Sequence, residues 1–342
     1  MPRLPDLASG FKTLREVDLK AIRNQAEEPF HIAIVGNAGA GKSTLIDQLF
    51  TGPGTTEPAL LRPISEHQLN QEIFVQAYSL VILLLDASQS SHLTERPILD
   101  KLRSYHVPII ICYNKIDLTQ NIQDVSDYAL RWLGSEMVAL SANDRETVSQ
   151  KLVPVLMRIY KGREIVLARH LPMLREPVSR KLIEDTCFIN AAYCLASGLA
   201  EMNILLTVPF NVADMVVLTK NQGLMAYKLA LAFDLPSNWR QTIPKLTTVV
   251  GTGFLWRTIA RQLVGLVPVI GVVPKVAVAY AGTYAIGQAI YRWCANNEKV
   301  SPQILRIMYP KALERGREVA LSMVSRPRNN RQDGIAGNPI GH

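Results

Sequence analysis

The spacing of apolar residues changes character twice along this chain. Over residues 11–28, Phe11, Leu14, Val17 and Ile22 recur at roughly helical spacing among charges, which predicts a short amphipathic helix packed on the domain that follows. From His31 the pattern becomes short apolar runs, HIAIV, LVILLL, VPIIICY and MVAL, alternating with helical stretches that begin near Lys42, Glu66, Leu93, Ile122 and Glu146. That alternation predicts an α/β domain built on a parallel sheet. Around Arg163 it stops. From there to about Val324 the pattern is long, apolar and helical, broken at Pro209, Pro236, Pro268, Pro274, Pro302 and Pro310, so the second half reads as all-helical. The last stretch, SRPRNNRQDGIAGNPIGH, has almost nothing to bury and reads as a disordered basic tail. The expected organisation is an N-terminal helix (1–30), an α/β domain (31–162), an apolar all-α domain (163–324) and the tail (325–342).

Composition narrows the class without naming an activity. In 342 residues, 48% are hydrophobic and 19% charged, which argues against disorder and fibre and leaves a membrane-facing segment open. Four cysteines lack any C-x-x-C pair, so neither a disulfide framework nor a zinc knuckle is written here, and they read as reduced core thiols. The start, MPRLPDLASG, lacks an apolar stretch behind a basic cap, which predicts a chain that begins in the cytoplasm. Charge is unevenly divided. Residues 31–160 hold ten basic and thirteen acidic side chains, net −3, whereas residues 161–342 hold twenty-two basic and eleven acidic, net +11. The basic half suggests an anionic partner, either a membrane surface or nucleic acid, or else a solvated face of a helical bundle.

The sharpest motif follows the run HIAIV. Residues Gly36, Asn37, Ala38, Gly39, Ala40, Gly41, Lys42 and Ser43 satisfy G-x-x-x-x-G-K-[ST] between an expected strand and an expected helix, with Thr44 continuing the first turn. Glycines let backbone N–H groups wrap phosphate oxygens, and the helix N-terminus favours the anion. In this motif Lys42 places a point charge on the β- and γ-phosphates, and Ser43 supplies a hydroxyl to Mg2+. By itself the loop says nucleotide, not which one.

Two further segments stand at the ends of later apolar runs. Asn114-Lys115-Ile116-Asp117 ends the run VPIIICY, and Ser141-Ala142-Asn143 ends MVAL. N-K-x-D followed by S-A-x resembles the guanine-recognition pair of Era-like (TrmE-Era-EngA type) P-loop GTPases. The resemblance implies a G domain that binds GTP and GDP with Mg2+. Asp117 would accept the two N–H donors of guanine, Lys115 would lie along the base face, Asn114 would tie this loop to the phosphate loop, and the Ala142 N–H would meet guanine O6. Gly54-Thr55-Thr56-Glu57 resembles the family's switch I, with Thr56 the preferred metal ligand and Thr55 the alternative. Gly39 stands where potassium-activated members carry asparagine, so the resemblance lends no support to potassium dependence.

The chain departs from the family in one respect. The D-x-x-G turn whose aspartate holds the metal through water is absent. Asp86, in Asp86-Ala87-Ser88-Gln89, resembles the strand after switch II and is a weaker candidate for that role. Between Thr56 and Ser79 the stretch ISEHQLNQEIFVQAY fills most of the space as a helix, leaving too little chain for two further strands. The expectation is a reduced sheet of four parallel strands with an unpaired edge at HIAIV. Losing a metal anchor weakens hydrolysis more than binding, since phosphoryl transfer depends on positioning and charge stabilisation.

Residues 185–300, especially VPFNVADMVVL and Y-A-G-T-Y-A-I-G, resemble a bacterial and cyanobacterial domain of unknown function that follows Era-like domains and forms part of YcjF-type inner-membrane proteins. The resemblance implies a membrane association, on the cytoplasmic side, and brings no enzymatic residues. Residues 263–281 (LVGLVPVIGVVPKVAVAYA) are apolar enough to insert, but Pro268, Pro274 and Lys275 favour a re-entrant or hairpin insertion with Lys275 at the interface, against two buried helices of a soluble bundle. Ala279, Gly282, Ala285 and Gly287 allow close helix packing in either case. Trp256 with Arg257 and Arg261, and Arg292 beside Trp293, are of the type that anchors at headgroups, and Arg326, Arg328 and Arg331 would add attraction to anionic lipid. Nothing but charge points to nucleic acid. The six histidines pair with no cysteine or carboxylate at ligand spacing. The reading is a guanine-nucleotide-binding protein and slow GTPase coupled to a membrane-associated helical domain. The alternative is a non-hydrolysing soluble adaptor, with a protein partner or self-association open.

Overall fold

The computed structural model describes residues 16–54, 63–64, 78–89, 92, 95–104, 106–119, 136–201, 212–238, 241–242, 272–298 and 301–325. The expected threonines of switch I, the helical stretches at 66–77 and 122–135, residues 263–271 of the apolar stretch 263–281, Trp256, Arg257, Arg261 and the basic tail lie outside these residues.

The amino-terminal part is α1 (Glu16–Ala26), β1 (Ile32–Val35), α2 (Lys42–Phe50), β2 (Pro63–Ile64), β3 (Leu80–Asp86), α3 (Glu95–Arg103), β4 (Ile109–Asn114), β5 (Glu136–Ala139) and α4 (Arg145–Ile159). The strands form one parallel sheet in the order β2-β1-β3-β4-β5. Runs such as LVILLL form its centre because both faces are covered, and β3 is buried at every position. The expected open edge at β1 is paired over its last two residues. Pro63 and Ile64 pair with Ile34 and Val35, so Ile64, expected to begin a helix, lies in a two-residue strand that covers that part of the edge.

Strand alternation sorts the core into two clusters. Ala33, Val35, Val81, Leu83, Leu85, Ile111 and Tyr113 face Ile98, Leu99 and Leu102 of α3. Ile32, Ile34, Leu80, Ile82, Leu84, Ile110 and Cys112 face the opposite way, with Leu45 and Leu49 of α2 and Leu152 and Leu156 of α4.

The second half is helical throughout its described residues: α5 (Glu164–His170), a 3-10 turn at Pro172–Leu174, α6 (Arg175–Glu201), α7 (Val212–Ala232), α8 (Val272–Asn296) and α9 (Pro302–Ser325). Helix α8 packs between α6 and α9, and α7 packs on α6, α8 and α5. The cluster that includes α2 and α4 continues into α6, α7 and α8, so sheet and bundle share one core. Helix α1 packs against α5 and α7 of the helical half, and its Leu19 and Ala26 join the core cluster that the sheet shares. Pro310, expected as a break, lies inside α9, and Pro274 stands in the first turn of α8, where a missing N–H is tolerated.

Two polar features are buried among these apolar helices. Asn190 and Gln222 both donate to Thr283 Oγ1, at 2.9 and 3.1 Å, and Asn221 donates to Asn190 at 2.8 Å. Lys275, expected at a lipid interface, is instead buried and paired with buried Asp214 at 2.7 Å. A lysine beside an aspartate loses less by burial than an isolated charge does. Ala279, Gly282, Ala285 and Gly287 are all buried in α8. Trp293, expected at a headgroup, packs half-buried against the shared core. Among the described residues no helix is long and apolar enough to cross a membrane.

Candidate functional site

The sheet order reverses direction between β1 and β3, and ligands in open parallel sheets bind beyond the carboxyl ends of the strands at such a point. Residues 36–41 leave β1 there and enter α2 at Lys42. Gly41, immediately before the helix, has φ +94°, and a Cβ on it would come 2.2 Å from Asn114 Nδ2. Glycine is therefore required twice over, by the backbone and by the neighbour. Ala38, Gly39 and Ser43 are exposed, so the mouth of the loop is open to an approaching anion. Lys42 Nζ donates to the carbonyls of Gly36 and Asn37, both at 2.7 Å, and partial burial lowers its pKa.

Asn114 joins the three loops. It is 1% exposed, donates from Nδ2 to the carbonyl of Ala40 at 2.7 Å, and accepts at Oδ1 from the Ala142 N–H, also at 2.7 Å. One side chain thus links the glycine-rich loop 36–41, the end of β4 and the loop after β5. The first bond is the tie expected of Asn114. The second differs from expectation, because the Ala142 N–H assigned to a base oxygen points to Asn114. Ser141 is buried, and Asn143 is exposed beside Asp144, which caps α4 by accepting from the N–H groups of Glu146 and Thr147.

Lys115 adopts a left-handed backbone, φ 65°, and opens the short turn Ile116–Leu118. This turn leaves Asp117 exposed beyond the strand ends. Lys115 Nζ lies 2.5 Å from Asp86 Oδ2, so the lysine expected along a base face holds an aspartate. Ser88 donates to the same carboxylate from its hydroxyl and its amide, at 2.6 and 3.0 Å. Burial alone would raise the Asp86 pKa. The hydrogen bonds from Lys115 and Ser88 outweigh it and hold the carboxyl below the ordinary aspartate value. Asp86 is thereby held by Lys115 of the 114–119 loop and by Ser88.

Sequence reading missed Glu95. This residue is 2% exposed at the start of α3 and accepts from Asn37 Nδ2 of the phosphate loop at 2.7 Å. His92 Nδ1 lies 3.7 Å from the same carboxylate, and its ring meets Tyr113 edge-on. His92 and Glu95 stand three residues apart, a spacing the sequence offered, but only folding brings Asn37 to them. Among the described residues no group of three His, Cys, Asp or Glu side chains could hold a metal. Comparison with protein-family models and with curated proteins finds no match to this chain.

Proposed function

We propose that this chain is a guanine-nucleotide-binding protein of Era-like type. The supporting observation is the Asn114 bridge, at 2.7 Å on each side, which joins the phosphate-loop motif to both expected base-selecting loops. In this reading the N–H groups of residues 38–43 and Lys42 bind the phosphates, and Asp117 accepts the paired N–H donors of guanine. Adenine offers no such pair. The Ala142 amide stays with Asn114 and acts by orienting it.

Mg2+ would find one exposed hydroxyl, Ser43, in the first turn of α2 and would take its remaining oxygens from phosphate and water, the arrangement this ion accepts most readily. The ion's part is to neutralise phosphate charge. With Asp86 engaged by Lys115, this chain's described residues bind and orient rather than activate water, so hydrolysis is slow and the nucleotide state is long-lived. The helical half, net +11 over residues 161–342, is the element that senses this state, at the cytoplasmic face of an anionic membrane. A second reading, a soluble guanine-nucleotide-binding adaptor, draws on the buried Lys275–Asp214 pair, which belongs in a packed bundle core.

The test is titration of the full chain with fluorescent GTP, GDP and ATP analogues, with Mg2+ present and then chelated, alongside Asp117→Asn. Guanine-selective binding that Asp117→Asn loses is the expected result. A weak effect of chelation would place the phosphates mainly on Lys42 and the loop. Binding to all three analogues, or to none, would end the guanine assignment.

A further inference from the structure

The phosphate-loop helix is anchored at its far end by the helical half. Helix α2 begins at the loop and, at nine residues, is about 13 Å long. Its exit, residues 51–54, is gripped at successive positions. The Thr51 carbonyl accepts from Arg145 of α4, within the α/β part, at 2.9 Å, and from the helical half Arg175 Nη1 donates to the Pro53 carbonyl at 2.8 Å. Gly52 lies so close to the Pro172 carbonyl that a Cβ would stand 2.1 Å from it. Gly54, at φ +80°, has Arg175 Nη1, Phe233 and the Cys294 carbonyl around the place a Cβ would take, the first at 2.8 Å.

Arg175 is the centre of this grip. It is the first residue of α6, is 0% exposed, and is the largest fully buried side chain among the described residues. Its Nε donates to the Ala168 carbonyl of α5 at 3.3 Å, and its guanidinium lies 5.4 Å from the ring centroid of Phe233 at the end of α7. Phe233 in turn meets Tyr291 of α8 edge-on. One buried cation therefore touches the exit of the phosphate-loop helix, α5 and the end of α7. A charge taken wholly out of water is costly unless its donors are satisfied, and arginine meets this with two separate nitrogens in a planar fork, Nε and Nη1, where lysine has one.

We infer that Arg175 couples the phosphate site to the helical bundle: it locks the carboxyl-terminal exit of α2 into α5, α6 and α7, so that ordering the phosphate loop orders the bundle. Arg175 is a positioning residue, remote from any nucleotide, and acts through α2. The inference rests on the nucleotide reading above and deepens it by assigning the route of regulation. Coupling of this kind is reciprocal: whatever stabilises the bundle in its docked arrangement tightens nucleotide binding by the same factor.

The test is amide hydrogen exchange of the full chain, free and with GDP or a non-hydrolysable GTP analogue and Mg2+, with nucleotide affinity measured on the same samples. In the wild type, nucleotide should slow exchange at the start of α6 and over the last turns of α7 by a factor of about 5 to 150, the usual range of coupling. Arg175→Met should keep its nucleotide affinity within about that coupling factor and lose the remote slowing. Gly54→Ala guards against an unfolded Arg175→Met, since it displaces the grip while leaving the cation in place, and it should lose the slowing too. If both variants bind nucleotide and transmit protection as the wild type does, Arg175 is not the coupler. If the wild type binds nucleotide and the bundle is unmoved, the inference fails and the nucleotide reading survives. If the wild type binds no nucleotide, both fall.

Discussion

At the residue scale the site depends on groups with few alternatives. Asn114 satisfies a buried carbonyl and a buried amide at once, and orphaning either costs about 1–3 kcal/mol. Its role could be anticipated because N-K-x-D is a local motif at a strand end. The partner of Lys115 could not, since Asp86 reaches it only when β3 and β4 lie side by side with Asp86 opposite Asn114. That pair makes a pH prediction with a definite sign. The folded-state pKa of Asp86 is lowered, so its contribution is fully present above the unfolded value, near 3.8, and is lost as pH falls through the folded value. Urea unfolding of the wild type against Asp86→Asn should show a constant stability difference from pH 7 to about pH 5, narrowing only below pH 4. A difference that vanished near pH 6 would show that another group controls the 114–119 loop.

At the element scale, periodicity located β1, β3, β4 and β5 and the helical character of the second half, because strands buried on both faces and apolar helices write distinct patterns, but it misplaced the helix breaks, since Pro274 and Pro310 lie within α8 and α9. It failed where an element is too short to have a period. Pro63 and Ile64 form β2 only by pairing with β1, and no window of two residues could signal it. It also failed for Lys275, whose place in an apolar run suggested an interface. Helix α7 supplies Asp214, and the pair is buried at 6% and 1% side-chain exposure. Removing one partner leaves an uncompensated charge in the core, so Lys275→Met alone should destabilise by about 3–5 kcal/mol. Lys275→Met combined with Asp214→Leu should recover most of that loss, measured as a double-mutant cycle in denaturant. Full additivity of the two single losses would mean that the pair does not interact.

At the scale of the whole molecule, the α/β part and the helical bundle share one core, and α1 packs against the bundle. This bears on attachment to membranes. The basic excess of residues 161–342 should draw the chain to vesicles containing phosphatidylserine, with an attraction that weakens as salt shortens the screening length. Flotation of the full chain on such vesicles is expected to be greater with a GTP analogue than with GDP, because the bundle is held to the exit of the phosphate-loop helix. Equal flotation in both states would remove nucleotide gating while leaving electrostatic attachment in place.

Local signals sufficed for a glycine-rich loop set between a strand and a helix, for strands buried on both faces, and for the change near Arg163 from alternating to continuous helix, because each depends on residues adjacent in the chain. The partners of buried charge were decided by tertiary structure alone. Lys115 with Asp86, Glu95 with Asn37, Lys275 with Asp214, and Arg175 with the carbonyls of Pro53 and Ala168 join residues from separate elements. A charged or polar side chain leaves water only where the fold supplies its complement, and that complement has no fixed spacing in sequence.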